Sequence, residues 1–308
     1  LNPAIDKVYA VDDFTIGGVF RPREMTATAG GKGLNVARVA HLLGEPIIAT
    51  GFLGGGNGCF IEEQVRQVGI TAEFVPIRGE TRICIAVMDP KRNTSTEVLE
   101  PGPVITEEES QSFLENYRRL LDECVVVTAS GSLPRGVPED GYRKLIAMAT
   151  ERNIRFILDT SGEALKKGIE ASPFMIKPNR EEAEKLLGAP LATLEDQVEA
   201  VLMLKQKGVA IPVITLGKDG CVAGLPDGVY HLYGPAIQVV NTVGSGDSFV
   251  AGCAVGVARD LAPIEVIRLG MASAMSNTQF FQTGMVSPES VSRFFEVIRY
   301  RLIGPFSH

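Results

Sequence analysis

Residues 242–252 read TVGSGDSFVAG: two glycines flank a serine, and a carboxylate, Asp247, follows where an apolar helical stretch begins. Gly244, Ser245 and Gly246 let successive backbone N–H groups converge on an anion, and the N-terminus of the following helix adds partial positive charge. An ionised Asp fits such a cradle if it faces a neutral hydroxyl that must lose a proton while attacking a phosphorus held by the amides. The competing reading is an N-capping Asp in a Gly-rich loop. The segment lacks the G-x-x-x-x-G-K-[ST] of a P-loop and the third glycine of a dinucleotide fingerprint, so it is a different phosphate device.

A second segment, AGGKGLNVARVAHLLG (29–44), runs from a glycine cluster into an amphipathic helix. Its glycines, Gly31 among them, permit close backbone approach to a ligand. Lys32 offers a point charge for a phosphate and Asn35 an amide for sugar hydroxyls. Taken alone, a tight turn with a solvated Lys accounts for the segment equally well.

These groups need a scaffold, and short β-rich runs alternate with amphipathic stretches along the chain. PIIATGF (46–52) reads as a strand, followed by a helix near 58–68. Thr106 opens a helix through about Cys124, with Glu109 as its capping-box partner. CVVVTASGS (124–132), a helix near 139–152, RFILDTSG (155–162), FMIKPN (174–179), the helix REEAEKLLG and IPVITLG (211–217) continue the series. The alternation predicts an α/β fold, a mostly parallel sheet covered by helices on both faces, with ligands gathered beyond the strand C-termini. ASGSLP, LDTSG, IKPN, TLGKDG and NTVGSGD all fall there. Residues 7–28 and 80–100 break the alternation; TRICIAVMD and TSTEVLE read as an antiparallel pair, a small β lid over the site. No internal repeat of about 20–50 residues is present, and residues 1–308 read as one domain.

Composition narrows the function classes. The 308 residues are 45% hydrophobic, enough for a substantial core. A formal net charge of −7 argues against a nucleic-acid or membrane-surface partner, either of which needs a broad basic face. Cys59, Cys84, Cys124, Cys221 and Cys253 are scattered without a C-x-x-C pair, which suggests neither a disulfide framework nor zinc and fits a reducing cytoplasm. No signal peptide and no apolar run near about 18 residues is visible. The chain opens at Leu1 directly on a turn-like Asn-Pro, leaving room for an N-terminal strand ahead of it. His41, His231 and His308 have no metal-ligand spacing, Cys253 reads as a small core residue, and Met271 with Met275 as a helix core stripe.

LNPAID, GGKGLNVARV, GFLGGGNG, TRICIAV, SGSLPRGVP, LDTSGEAL, IKPNREE, TLGKDG and NTVGSGDSFVAG occur in an order that resembles the PfkB family of carbohydrate kinases, within the ribokinase-like fold. The resemblance covers nearly the whole chain and implies a three-layer sandwich with a β lid. Within the family the chain looks like the hexose-phosphate branch; GETRICIAV, TEVLEPGP and IQVVNTVGSGDS are most similar to its tagatose-6-phosphate kinases. The 1-phosphofructokinases of that branch tend to carry an Asn-rich segment where this chain has VLEPGP.

The resemblance implies roles one residue at a time. Asp247 is the base, with residues 244–247 (Gly244, Ser245, Gly246 and Asp247) as the anion hole. Asp6 matches a sugar-hydroxyl acceptor, although an Asp after Asn-Pro also forms turns. Arg82 reaches from the lid to the substrate phosphate, where a generic strand Arg is a solvated edge charge. Ser132 matches a further substrate contact, and without the family reads as a turn serine. With Gly31, Lys32 and Asn35 these form the acceptor clamp. Lys177, Asn179 and Glu182 match the ATP and Mg²⁺ side, Glu182 acting through metal-bound water, unless Asn179 and Glu182 merely cap a helix. Thr215, Gly217 and Gly220 lie along the nucleotide, and Asn277 is a candidate at the adenine pocket. The implied reaction is ATP-dependent phosphorylation of a ketohexose monophosphate to a 1,6-bisphosphate. Tagatose 6-phosphate leads, fructose 1-phosphate is the alternative and 6-phosphofructokinase activity follows. Ribose or nucleoside kinases have no need of Lys32 and Arg82. A catalytically silent sugar-phosphate sensor would be expected to have lost the acid or the cradle glycines, and both are intact. A monovalent-cation requirement and a homodimer through the lid stay open.

Overall fold

Alternation at period two fills the central sheet. In the computed structural model, which describes residues 1–92 and 94–304, Ile157, Met175, Val213, Cys221 and Ala223 join one buried cluster. Phe156, Leu158, Ile176, Ile214 and Val222 join another on the opposite face. The sheet has the order Arg299–Gly304, Gly228–Tyr233, Cys221–Leu225, Ile211–Thr215, Met175–Ile176, Arg155–Asp159, Val126–Ser130. Its last four strands are parallel, as alternation with helices requires, and its first four are joined antiparallel. Helices cover both faces, giving the ribokinase-like α/β fold expected.

The helix Ser245–Ala258 lies within the first cluster, with Asp247 through Val257 all buried. It packs against the helix Pro263–Asn277 at small residues. A Cβ at Gly252 would stand 2.5 Å from the Leu269 carbonyl oxygen and 2.9 Å from Gly270 Cα, so the backbones approach only because that side chain is absent. Cys253 is buried there and Met271 lines the same core with Met275 packed against it.

Boundaries follow local chemistry. Thr106 N donates to Glu109 Oε2 at 2.8 Å and Glu109 N to Thr106 Oγ1 at 3.2 Å, so the capping box opens the helix Glu107–Leu120. The helix expected near 58–68 spans Gly55–Gln67. It begins earlier because Glu80, distant in sequence, accepts from Asn57 N at 2.7 Å and satisfies an amide of the first turn. The expected strand 46–52 is two short pieces, Ile48–Ala49 and Phe52–Leu53, paired in parallel with Thr71–Ala72 and Val75–Pro76.

A separate four-stranded sheet has the order Glu24–Gly30, Ala4–Ala10, Arg82–Asp89, Thr94–Leu99. Ala4–Ala10 pairs antiparallel with Glu24–Gly30 and parallel with Arg82–Asp89, in a register that sets Asp6 beside Cys84. Arg82–Asp89 and Thr94–Leu99 are antiparallel. Among the described residues no helix is long and apolar enough to cross a membrane, and His308 lies outside them.

Candidate active site

The four parallel strands end on one side of the sheet at Ser130, Asp159, Ile176 and Thr215. Ser130, Asp159, Lys177 and Thr215 line one cavity of about 1260 Å³, together with Asp6, Arg82 and Cys84 of the four-stranded sheet and residues 243–247. Apolar side chains, among them Phe113, Tyr117 and Leu145, line the same cavity. The polar residues gathered at the strand ends form the candidate site.

Gly244 takes a left-handed φ of 79° at the entrance to the helix Ser245–Ala258. A Cβ there would meet Thr283 Cγ2 at 2.5 Å and Gly284 N at 3.1 Å, so both conformation and space demand glycine. Ser245 N turns back to the Thr242 carbonyl at 3.2 Å, whereas Gly246 and Asp247 N–H have no backbone acceptor. Among the described residues the N–H groups of Gly244, Gly246 and Asp247 find no acceptor, and these are the open donors of the turn. Lys177 lies behind them: a Cβ on Gly246 would stand 3.3 Å from its Nζ.

Asp247 is 6% exposed and its Oδ2 accepts from Asn35 Nδ2 at 2.9 Å. Burial pushes its carboxyl pKa up to about 6. The Asn35 bond and the charges of Lys32 and Lys177 pull it down, while the carboxylate of Asp159 pushes it further up. Ionised at neutral pH yet basic for an Asp, it is poised to accept a proton.

The helix Lys32–Leu42 brings Asn35 to that carboxylate. It starts at Gly31, φ 92°, whose carbonyl accepts from Leu34 and Asn35 N–H. Gly31 N donates to Asp6 Oδ2 at 3.3 Å, and a Cβ on Gly30 would collide with the Asp6 carboxyl. Burial raises the Asp6 pKa, against the Gly31 amide and the charges of Arg82 and Arg38, with Glu97 adding to the rise. Lys32 is exposed, its Nζ 3.9 Å from Asp159 Oδ2.

Arg82 lines the cavity with its guanidinium already engaged. Nη2 donates to Asn2 O at 2.8 Å, Nε to the same oxygen at 3.2 Å, and Nη1 to Glu100 O at 3.0 Å. It staples the first residues to the strand end at Glu100. Ser132 is exposed at the cavity wall.

Asn179 and Glu182 form a reciprocal capping box, Asn179 N to Glu182 Oε2 and Glu182 N to Asn179 Oδ1, each 2.9 Å, and both line the cavity. The helix-capping alternative is therefore present in fact, beside whatever the free Glu182 oxygen does. Thr215 N donates to Pro178 O at 3.0 Å, holding the two strand ends together.

Three expected nucleotide contacts fall outside the cavity lining. Gly217 and Gly220 shape a tight turn, with φ 63° and 89°; a Cβ on Gly220 would sit 2.0 Å from the Leu232 carbonyl oxygen, which gives it a packing role. Asn277 corrects the adenine expectation: it is 0% exposed, donates from Nδ2 to Val243 O at 3.0 Å and accepts from Gly284 N at 3.0 Å. With both ends of its amide used, it ties the Gly244 turn to the loop at Gly284.

Sequence reasoning passed over Asp159 and Arg38. Asp159, 2% exposed, lies 3.3 Å from Lys177 Nζ through Oδ1, while its buried Oδ2 has no hydrogen-bond partner. Burial alone would lower the Lys177 pKa. The charge and hydrogen bond of Asp159, with the charges of Glu182 and Asp247, reverse this and leave it raised. The signal for Asp159 was its place, an acid at a parallel strand's C-terminal end in LDTSG.

Open amides at a helix start, a buried carboxylate beside them and two lysines nearby, at the C-terminal edge of the parallel strands, make an arrangement suited to phosphoryl transfer. The pfkB family carbohydrate kinase model matches residues 1–289, and the chain belongs to that family. It is an ATP-dependent sugar kinase by that membership. A possible 1-phosphofructokinase from Thermotoga maritima is similar at 28% identity, TM-score 0.90, over 98% of each chain. Phosphofructokinase-2 from Escherichia coli, in complex with potassium, is similar at 25% identity, TM-score 0.89, over 96% of each chain.

Proposed function

We propose that the protein transfers the γ-phosphoryl group of ATP to a hydroxyl of a ketohexose monophosphate, giving a ketohexose 1,6-bisphosphate, with tagatose 6-phosphate the preferred acceptor. The observation that carries this reading is the convergence of Asp247, the open amides of Gly246 and Asp247, and Lys32 and Arg82 on one cavity. An uncharged sugar has no use for two cations at its edge, and a silent sensor has no use for a base with a pKa of about 6.

In this reading Asp6 and Asn35 hold acceptor hydroxyls, Ser132 adds a contact, and Lys32 takes the acceptor phosphate. Arg82 contributes to that phosphate chiefly through its field, since its donors are largely occupied by carbonyls. The Asp247 carboxylate accepts the hydroxyl proton as the oxygen attacks phosphorus. Gly246 and Asp247 N–H and the buried Lys177 ammonium stabilise the charge that develops on the phosphoryl oxygens. Most of the acceleration comes from this positioning and field.

Among the described residues no group of three or more acids, His or Cys is set to hold a metal. Glu182, with one oxygen free of the capping box and a place on the cavity wall, fits instead a hydrated Mg²⁺ held partly by nucleotide phosphates. When bound, that ion neutralises phosphate charge. Asn179 and Thr215 flank the nucleotide side. The four-stranded sheet acts as a lid and as the surface for a homodimer, a monovalent cation remains compatible with the site, and the scattered free cysteines suit a cytoplasmic enzyme.

The GETRICIAV and TEVLEPGP segments favour tagatose 6-phosphate, and the similarity to a possible 1-phosphofructokinase keeps fructose 1-phosphate as the second reading. Ranking kcat/KM by coupled ADP release across tagatose 6-phosphate, fructose 1-phosphate, fructose 6-phosphate, ribose and adenosine tests both levels. Tagatose 6-phosphate should equal or exceed fructose 1-phosphate. A strong preference for fructose 1-phosphate overturns the acceptor, and efficient use of ribose or adenosine overturns the acceptor class.

A further inference from the structure

Arg38 stands one helical turn after Asn35 and meets three segments at once. Its Nη1 donates to Asn35 Oδ1 and to Thr283 O, each at 3.3 Å, and its Nη2 donates to Ala29 O at the end of the strand Glu24–Gly30. The other end of the Asn35 amide donates to Asp247 Oδ2 at 2.9 Å. Space for this arrangement is reserved: at Gly284, φ 68°, a Cβ would stand 2.9 Å from Arg38 Nη1 and 3.2 Å from Asn35 Oδ1. Asn277 fixes that loop by accepting from Gly284 N.

The two ends of a carboxamide are nearly the same shape and opposite in function. A guanidinium only donates and a carboxylate only accepts, so with Arg38 on one side and Asp247 on the other a single orientation of Asn35 satisfies both. The flipped amide would set its NH₂ against the Arg38 donors and its oxygen against Asp247. Without Arg38 the first of those penalties disappears, and water can serve either end of the amide. Asn35 then no longer holds the Asp247 carboxylate to one rotamer.

We propose that Arg38 is a positioning residue for Asp247: it sets the direction of the Asn35 amide, and ties that amide to the strand Glu24–Gly30 and to the loop at Thr283. This rests on the reading of Asp247 as the base. Arg38 acts through Asn35, touching neither acceptor nor nucleotide. It also links the four-stranded sheet to the orientation of the base.

The test is a double-mutant cycle on kcat for tagatose 6-phosphate, using Arg38→Ala, Asn35→Ala and the pair. Arg38→Ala should lower kcat by roughly ten- to a hundred-fold, the scale of a misplaced reacting group, with KM for ATP within about three-fold. In the Asn35→Ala background the same substitution should change kcat by less than about two-fold. Wild-type kcat in Arg38→Ala, or an equal fold-loss in both backgrounds, overturns the proposal. Should Arg38→Ala not fold, Arg38→Lys is run through the same cycle; its single ammonium keeps the charge but cannot span Ala29, Asn35 and Thr283 together, and the same outcomes decide. Undiminished turnover in Asp247→Asn would instead remove the reading of the base, an outcome distinguishable because it leaves the Arg38–Asn35 coupling measurable.

Discussion

Asn35 Nδ2 lies 2.9 Å from Asp247 Oδ2, a buried hydrogen bond between segments 212 residues apart in the chain. It joins the glycine-cluster helix to the turn before the helix Ser245–Ala258, and in the proposed reading it makes the acceptor side and the phosphoryl side share one contact. That bond favours the ionised Asp247, whereas burial and the Asp159 charge favour the protonated form, and the balance leaves the carboxyl titrating at about 6.

A base with that pKa makes kcat/KM fall as pH drops through about 6, with the plateau above it. The same shift has a stability consequence of opposite sense. The folded state holds the Asp247 proton more tightly than the unfolded chain, whose carboxyl titrates at 3.8, so stability from this group is greatest below that value. It is lost as pH rises towards about 6. Asp247→Asn removes the charged form and should stabilise the fold by about 3 kcal/mol at pH 7.5, with most of the gain gone near pH 4. Urea denaturation at the two pH values checks this, and an equal or negative change at pH 7.5 contradicts the electrostatic account.

Much of this was legible in the sequence because it is local. The capping box at Thr106 and Glu109, the strands ending at Asp159 and Thr215, and the glycine turn before Asp247 depend on neighbours a few residues away. What was not legible depends on partners far along the chain. The early start of the helix Gly55–Gln67 needs Glu80, the engagement of Arg82 needs the carbonyls of Asn2 and Glu100, and the burial of Asn277 needs Val243 and Gly284. Arg38 reads as an ordinary helical Arg until Ala29 and Thr283 arrive from elsewhere.

Lys177 and Asp159 are a buried pair, 6% and 2% exposed at the side chain, 3.3 Å apart. Removing one partner strands the other charge. Lys177→Met and Asp159→Asn should each destabilise by about 3–5 kcal/mol, and the double variant by clearly less than the sum of the two. Chemical denaturation of the three proteins measures it; single variants within about 1 kcal/mol of wild type would contradict the pairing.

Lys32 and Arg82 should separate in kind. Lys32 is exposed and only loosely paired, so Lys32→Ala should lower kcat/KM for the sugar phosphate by roughly ten- to a few hundred-fold, the worth of a charge-assisted contact, with KM for ATP little changed and the melting temperature intact. Arg82→Ala should show the same selectivity and, because the carbonyls of Asn2 and Glu100 lose their donor, a lower melting temperature as well. A Lys32 variant impaired equally towards ATP would contradict its assignment to the acceptor.

Glu182→Gln offers a clean probe of the metal side, since Gln preserves the reciprocal cap on Asn179 while removing the charge. Activity should vanish with excess EDTA and return with Mg²⁺, and the variant should need more Mg²⁺ for half-maximal rate with its helix content unchanged. An identical Mg²⁺ titration would remove Glu182 from the metal site.

The central claim, phosphoryl transfer from ATP to a phosphorylated ketohexose with Asp247 as base, is tested most directly by ADP formation with tagatose 6-phosphate, wild type beside Asp247→Asn. The account predicts saturable ADP release matched by bisphosphate in the wild type. In the variant kcat should be lower by roughly two to four orders of magnitude, with ATP and sugar-phosphate affinity within a few-fold. Near-wild-type turnover in Asp247→Asn, or a wild type that releases ADP with no phosphorylated ketohexose, would contradict it.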